Sequence, residues 1–268
     1  MRRLFARLFR ERREPAPDPV RAADKAHNLR MACLLQMDDQ ALRATLAADP
    51  GDAAGWIESA ARLGVMEAQV WLGQMRLDGM AGPRDEACAL DWFLKAARQG
   101  SAEAMNMAGR CYENGWGAGR DLGAAAQWYR RAADLGLAWG EYNWANMLFD
   151  GLGVARDRSA AVAWYARAAA QGHARAMNLL ARCHEEGWGV ARDAAQALRW
   201  YRRAAEGGYF RAQFNYATAL IAIGRGGEAR RWLESARDGD ADGKLRPLAC
   251  GLLARLDATT PPAMESAA

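Results

Sequence analysis

Between residues 101 and 136, small or apolar side chains recur at Ala104, Met107, Ala108, Cys111 and Tyr112, the three-and-four spacing of one helical stripe. The triplet Gly115-Trp116-Gly117 interrupts the stripe, because glycine readily takes the left-handed conformation that closes a helix. Asp121 then stands where its carboxylate caps the free N–H groups of a second helix. That helix carries Ala125, Trp128, Tyr129, Ala132 and Ala133 inward and stops at Gly136. The pattern predicts a helix, a glycine-rich turn and a second helix.

The same pattern repeats. Trp56, Trp92, Trp128, Trp164 and Trp200 stand 36 residues apart, each opening a phrase of Trp, an apolar residue, two variable positions, Ala-Ala, two more and Gly. A second marker keeps the step: Arg84-Asp85, Arg120-Asp121, Arg156-Asp157 and Arg192-Asp193. Periods of this size indicate stacked helix pairs that share one continuous core. The tryptophans are expected to form the spine of that core. Small residues at Gly109, Ala145, Ala181 and Ala217 share one register and let neighbouring helices approach, so a leucine there should overpack.

The predicted organisation is a basic leader and Pro-rich linker over 1–21, an N-terminal helical cap over 22–51 and the array over 52–239. A capping helix entered at Pro247 follows over 240–257, then a disordered tail over 258–268. Within the array, 52–64 is the second helix of an incomplete unit. Full units follow at about 65–100, 101–136, 137–172 and 173–208, and a degenerate one at 209–239. A slower, 72-residue alternation lies on top. Units 101–136 and 173–208 share Ala-Met-Asn and Gly-Trp-Gly, whereas the other two share Tyr142-Asn143-Trp144-Ala145 and Phe214-Asn215-Tyr216-Ala217.

The run from Tyr112 to Asp121 (YENGWGAGRD), then Ala-x-x-Trp-Tyr-Arg-Arg-Ala-Ala-x-x-Gly, closely resembles the Sel-1-like repeat, an α-solenoid relative of the tetratricopeptide repeats. The resemblance covers residues 52–239, with Ala81 in place of the second turn glycine in the first full unit and no turn Asp in the last. It implies an all-α, right-handed α-solenoid of antiparallel helix pairs with an adaptor or scaffold role. It implies no common ligand and no common chemistry.

Charge narrows the partners. Residues 1–14 hold six Arg and two Glu, a net of +4 that equals the value for the whole chain. The remaining 254 residues therefore sum to zero and lack the basic bias of a nucleic-acid grip. No run of 18 apolar residues and no secretory signal is visible. Five cysteines without CxxC spacing read as small apolar fillers, and free thiols favour a reducing, cytoplasmic compartment. The Ala-, Arg- and Gly-heavy usage suggests a bacterial chain.

In the related tetratricopeptide arrays the first helix of each pair lines the concave surface. Carried over by alignment, the outward positions begin with Glu67, Glu103, Trp139, Arg175 and Arg211. Asn106, Tyr142, Asn178 and Phe214 come one turn later, then Gln74, Arg110, Asn146, Arg182 and Thr218, then Glu113, Phe149 and Glu185. Asn143 and Asn215 join them either as groove residues or as amides satisfied between units. Asparagine bonds both N–H and C=O of an extended peptide, and arginine forks a carboxylate. The expected ligand is thus a peptide or helix of another protein, held on the concave face with no cofactor. Trp139 stands where other units have Glu or Arg, and is either an exposed anchor or packed on the preceding unit. Trp116 and Trp188, between turn glycines, should fold back over helix ends.

Two other functional classes have partial signals in the chain. Leu4, Phe5, Leu8 and Phe9 share a helical face ringed by Arg2, Arg3, Arg7 and Arg10, which suits either a weak anionic-membrane contact or a disordered basic leader. Catalysis has little support. There are three histidines, and His184 stands where the sister unit has Tyr112, so it reads as a packed ring. No HExxH, GxSxG, Walker or Rossmann phrase appears. Family members credited with β-lactam binding or hydrolysis resemble disulfide-rich exported chains, unlike this one.

Overall fold

The computed structural model describes residues 50–80, 82–240 and 243–259, and the ordered elements among them are all helices. The leader, most of the N-terminal cap, the end of the tail and the membrane-surface candidates Arg2, Arg3, Leu4, Phe5, Arg7, Leu8, Phe9 and Arg10 lie outside the described residues. The chain divides into two compact units, Met1–Arg84 and Asp85–Ala268. The first holds α1 (Pro50–Arg62) and α2 (Met66–Asp78), packed on each other.

The second unit begins with α3 (Glu86–Arg98), α4 (Ala102–Asn114), α5 (Leu122–Asp134) and α6 (Ala138–Asp150). It continues through α7 (Arg158–Ala170), α8 (Ala174–Glu186), α9 (Ala194–Glu206) and α10 (Phe210–Ala222) to α11 (Gly226–Gly239) and α12 (Arg246–Thr259). Each helix packs on the next in sequence, so a second helix such as α5 is shared between its own pair and the first helix of the following one. This nearest-neighbour succession is the predicted α-solenoid. First helices start at 102, 138, 174 and 210, keeping the 36-residue step.

The Arg-Asp marker joins the two helices of a pair. Asp121, Asp157 and Asp193 accept 2.9 Å bonds from the backbone N–H three residues on, satisfying orphan donors of α5, α7 and α9. The preceding arginine closes the other end of the turn: Arg120 donates to the Glu113 carbonyl at 3.0 Å and Arg192 to the Glu185 carbonyl at 2.8 Å, at the C-termini of α4 and α8. The first turn glycine is the left-handed cap, as at Gly115 (φ 75°).

The second turn glycine does something the pattern did not suggest. Gly117, Gly153 and Gly189 press against the first residue of the second helix one unit earlier. A Cβ on them would lie 2.2–2.3 Å from the carbonyl oxygens of Glu86, Leu122 and Arg158. These glycines set how closely successive pairs stack.

The core corrects the expectation about the tryptophans. The fully buried aromatic of each second helix is the residue after the tryptophan: Phe93, Tyr129, Tyr165 and Tyr201, at 0–2% exposure. Trp92, Trp128, Trp164 and Trp200 are only half-buried. Each lies under a cation three residues on, with Lys95, Arg131, Arg167 and Arg203 at 3.9–4.7 Å from the ring centroids. The helix is rotated by one residue relative to expectation, because the smaller ring fits between the close-packed alanine pairs and the indole covers their edge under a cation. At Gly109 a Cβ would meet the Tyr129 ring at 2.7 Å, so the close approach predicted there is real.

The 72-residue alternation has a physical cause. Asn143 of α6 donates to Asn106 of α4 at 2.8 Å, and Asn215 of α10 donates to Asn178 of α8 at the same distance. These amide clasps tie units two by two. Tyrosine hydroxyls alternate with them. Tyr129 and Tyr201 donate to Glu113 and Glu185 at 2.6 Å, whereas Tyr165, whose register partner is Phe149, donates instead to Asn146. A buried hydroxyl needs an acceptor, and alternate units supply it as a glutamate or an asparagine.

Candidate functional site

A hollow of about 540 Å³ opens on the first-helix face of the second unit. Arg175, Asn178, Leu179 and Arg182 come from α8, and Phe210, Arg211, Phe214 and Asn215 from α10. Tyr142 of α6 borders it, with Tyr209 ahead of α10 and Lys244 and Leu245 ahead of α12. The three-and-four spacing of α8 and α10 places these side chains on one face of each helix. Asp240, 2% exposed, is the single lining carboxylate among the described residues. Its Oδ2 accepts from the N–H groups of Leu245 (2.6 Å) and Arg246 (3.0 Å), where it caps α12.

The cations are propped on rings. Arg175 lies 5.4 Å from the Trp139 centroid and 6.0 Å from that of Tyr209, Arg182 lies 5.1 Å from Trp188, and Arg211 lies 5.8 Å from Phe210. Burial raises the Tyr209 hydroxyl, with Arg211 and Arg175 opposing. That residue therefore enters the site as a neutral donor.

Of the groove candidates Asn106, Arg110, Trp139, Tyr142, Asn143, Asn146, Asn178, Arg182, Phe214 and Asn215, five (Tyr142, Asn178, Arg182, Phe214 and Asn215) line this hollow, together with the outward positions Arg175 and Arg211. The other five stand elsewhere. Asn106, expected to face outward, is buried in the clasp with Asn143, and Asn178 is buried likewise at the floor of the hollow. Asn146 is taken by Tyr165, and Arg110 lies over Trp116 at 5.4 Å. Trp139 is 45% exposed and packs forward, edge-on to His173 of the next unit at 4.4 Å, rather than back onto the preceding one. Tyr209, Phe210 and Lys244 were not anticipated. Lys244 follows the array, where the repeat offers no register to align it.

His173 links this region to acidity. Its Nδ1 accepts the Ala176 N–H at 3.2 Å and so caps α8, as Ser101 caps α4. Burial, with Arg175 adding, lowers its pKa to about 4 from 6.5. The unfolded chain therefore binds a proton first as pH falls below 6.5. The stability the neutral ring contributes is full above that value and is lost as pH drops toward 4, by about 1–2 kcal/mol once the solvent contact of the ring is allowed for. Urea unfolding at pH 7 and pH 4.5 should show wild type losing that much more than His173→Ser. Equal losses would contradict the capping account.

No sulfur chemistry is poised here. Cys111 and Cys183 are buried and their thiols are pushed up to about 11 by that burial, far from the thiolate a nucleophile requires. Among the described residues, no helix is long and apolar enough to cross a membrane.

Comparison with known proteins places the chain. The Sel1 repeat family model matches residues 40–65, 67–101, 102–137, 140–173 and 174–209. The structure is similar to that of a Sel1 repeat protein from Oxalobacter formigenes, at 31% identity and a TM-score of 0.64, over 69% of this chain and 75% of that one. It is also similar to a protective antigen present in uropathogenic Escherichia coli strains that displays an SLR fold, at 25% identity and a TM-score of 0.69 over 88% of this chain. The chain covers 55% of that antigen's length. No curated protein matches. A family model that covers more than half of the residues, in step with helix pairs stacked on the same period, shows that the chain belongs to the Sel1 repeat family.

Proposed function

We propose that the protein is a non-enzymatic interaction scaffold that binds a peptide or helix of another protein on the first-helix face of its second unit. Sel1 repeats generally mediate protein–protein interaction. The observation that carries the reading is the hollow between α8 and α10, where Arg175, Arg182, Arg211 and Lys244 have no carboxylate partner among the described residues. Here they are held ready around aromatic rings, the composition of a binding centre.

Affinity capture from native lysate tests this. Wild type should retain a defined protein, and Arg182→Ala with Phe214→Ala should reduce its yield about tenfold or more in variant protein whose circular dichroism remains helical. Undiminished retention by the variant would place the binding surface elsewhere.

A further inference from the structure

We propose that the hollow between α8 and α10 takes an acidic, extended segment of the partner protein. This inference rests on the scaffold reading and adds the chemistry of the partner. One register position changes character along the second unit: Glu103 on α4, Trp139 on α6, Arg175 on α8 and Arg211 on α10, all exposed. Arg182 and Lys244 add to the positive end, also exposed.

Several other arginines of this unit are paired, while others, such as Arg131 and Arg203, lie singly over a tryptophan. Arg167 meets Glu141 at 2.9 Å, Arg202 meets Glu206 at 2.8 Å and Arg225 meets Glu228 at 2.7 Å. The groove cations lack such partners among the described residues. The one lining carboxylate among the described residues, Asp240, is buried, with Oδ2 accepting from two backbone N–H groups and Oδ1 buried without a hydrogen-bond partner. Like charges gathered on a hollow with low-dielectric walls repel one another and focus a field that attracts anions.

Two features favour a polypeptide over a bare polyanion. The clasp consumes the Asn178 carbonyl and one Asn215 N–H, which leaves the Asn178 amide nitrogen as donor and the Asn215 oxygen as acceptor at the floor. That pair matches the C=O and N–H of an extended chain. Tyr142 and Phe214 flank them and provide apolar contact for alternate side chains, while carboxylates at the positions between reach the arginines. A chain of phosphates would engage the cations and leave amides and rings without partners.

The test uses the full chain and a fluorescein-labelled peptide of about eight residues alternating glutamate with leucine, read by anisotropy. It should bind about tenfold or more tightly than its glutamine analogue. Raising NaCl from about 50 to about 300 mM should weaken it several-fold. Arg175→Glu with Arg211→Glu, both at exposed positions, should lose about tenfold for the glutamate peptide and gain binding of the lysine analogue. Lys244→Glu alone, outside the repeats, should weaken the glutamate peptide in the same direction. Equal binding of the glutamine and glutamate peptides would overturn the acidic assignment while leaving the scaffold reading intact. So would a captured partner that depends on Phe214 when neither peptide binds. Displacement of the glutamate peptide by single-stranded oligouridylate of lower Kd would overturn it in favour of nucleic acid.

Discussion

Gly153→Ala is expected to destabilise the second unit by about 3 kcal/mol or more, a larger effect than any surface change. Gly153 has φ 68°, a left-handed conformation that costs a residue with a side chain about 1–2 kcal/mol. The added methyl also has nowhere to go. Its carbon would lie 2.2 Å from the Leu122 carbonyl oxygen and 2.6 Å from the Gly123 nitrogen, and these are backbone atoms of α5 that cannot rotate aside. Relief requires the helix pair of 137–172 to back away from the pair before it. Because each pair is held only by its neighbours, that step loosens one whole interface. Urea melts should show a lower midpoint and reduced cooperativity. Gly119→Ala is the control, since nothing lies within 4 Å of a Cβ there. Equal behaviour of the two variants would mean the turn glycine does not set the stacking distance.

Arg167→Ala should cost about 2–4 kcal/mol, with its cause in a buried carboxylate. Glu141 on α6 is 1% exposed, in a register where the adjoining first helices α4 and α8 carry Met105 and Met177 and α10 carries the buried Gln213. Its charge is met by Arg167 of α7 at 2.9 Å and by Gln171 at 2.8 Å. Arg167 also stacks on Trp164 at 4.2 Å, so truncation removes a ring cover along with a counter-ion. The half-exposed guanidinium keeps the loss below that of a fully buried pair. Replacing Glu141 by Met removes the stranded charge, so Glu141→Met with Arg167→Ala should be more stable than Arg167→Ala alone. Additive losses in this double-mutant cycle would show that the two side chains act independently.

Two phrases locked to one period marked the glycine turns and Asp caps of the second unit, because those are local chemistry. Rotation of a helix about its axis is not local. Trp128 and Tyr129 obey the same period, and only the spacing between neighbouring pairs decides that the tyrosine enters and the indole stays at the edge. The asparagines were hard to read for a related reason. Asn106 and Asn178 sit at outward positions by alignment, yet each meets an amide 37 residues on, from the next unit at an adjacent register. The alternation in sequence was visible, but its meaning required two units side by side. The hollow was half visible. Its α8 and α10 residues follow the repeat, whereas Lys244 and Leu245 come from the connection to α12, where periodicity has ended.

A partner protein is proposed to bind the first-helix face between α8 and α10 through an acidic segment. Photo-crosslinking from that face tests it most directly, with benzoylphenylalanine placed at Phe214 and, as the opposing site, at Arg131 on the second-helix face. Irradiation is predicted to join one protein to position 214, with the adduct mapped by mass spectrometry to an acidic stretch, and none to position 131. A partner joined equally well from position 131, or one joined only there, would contradict the claim.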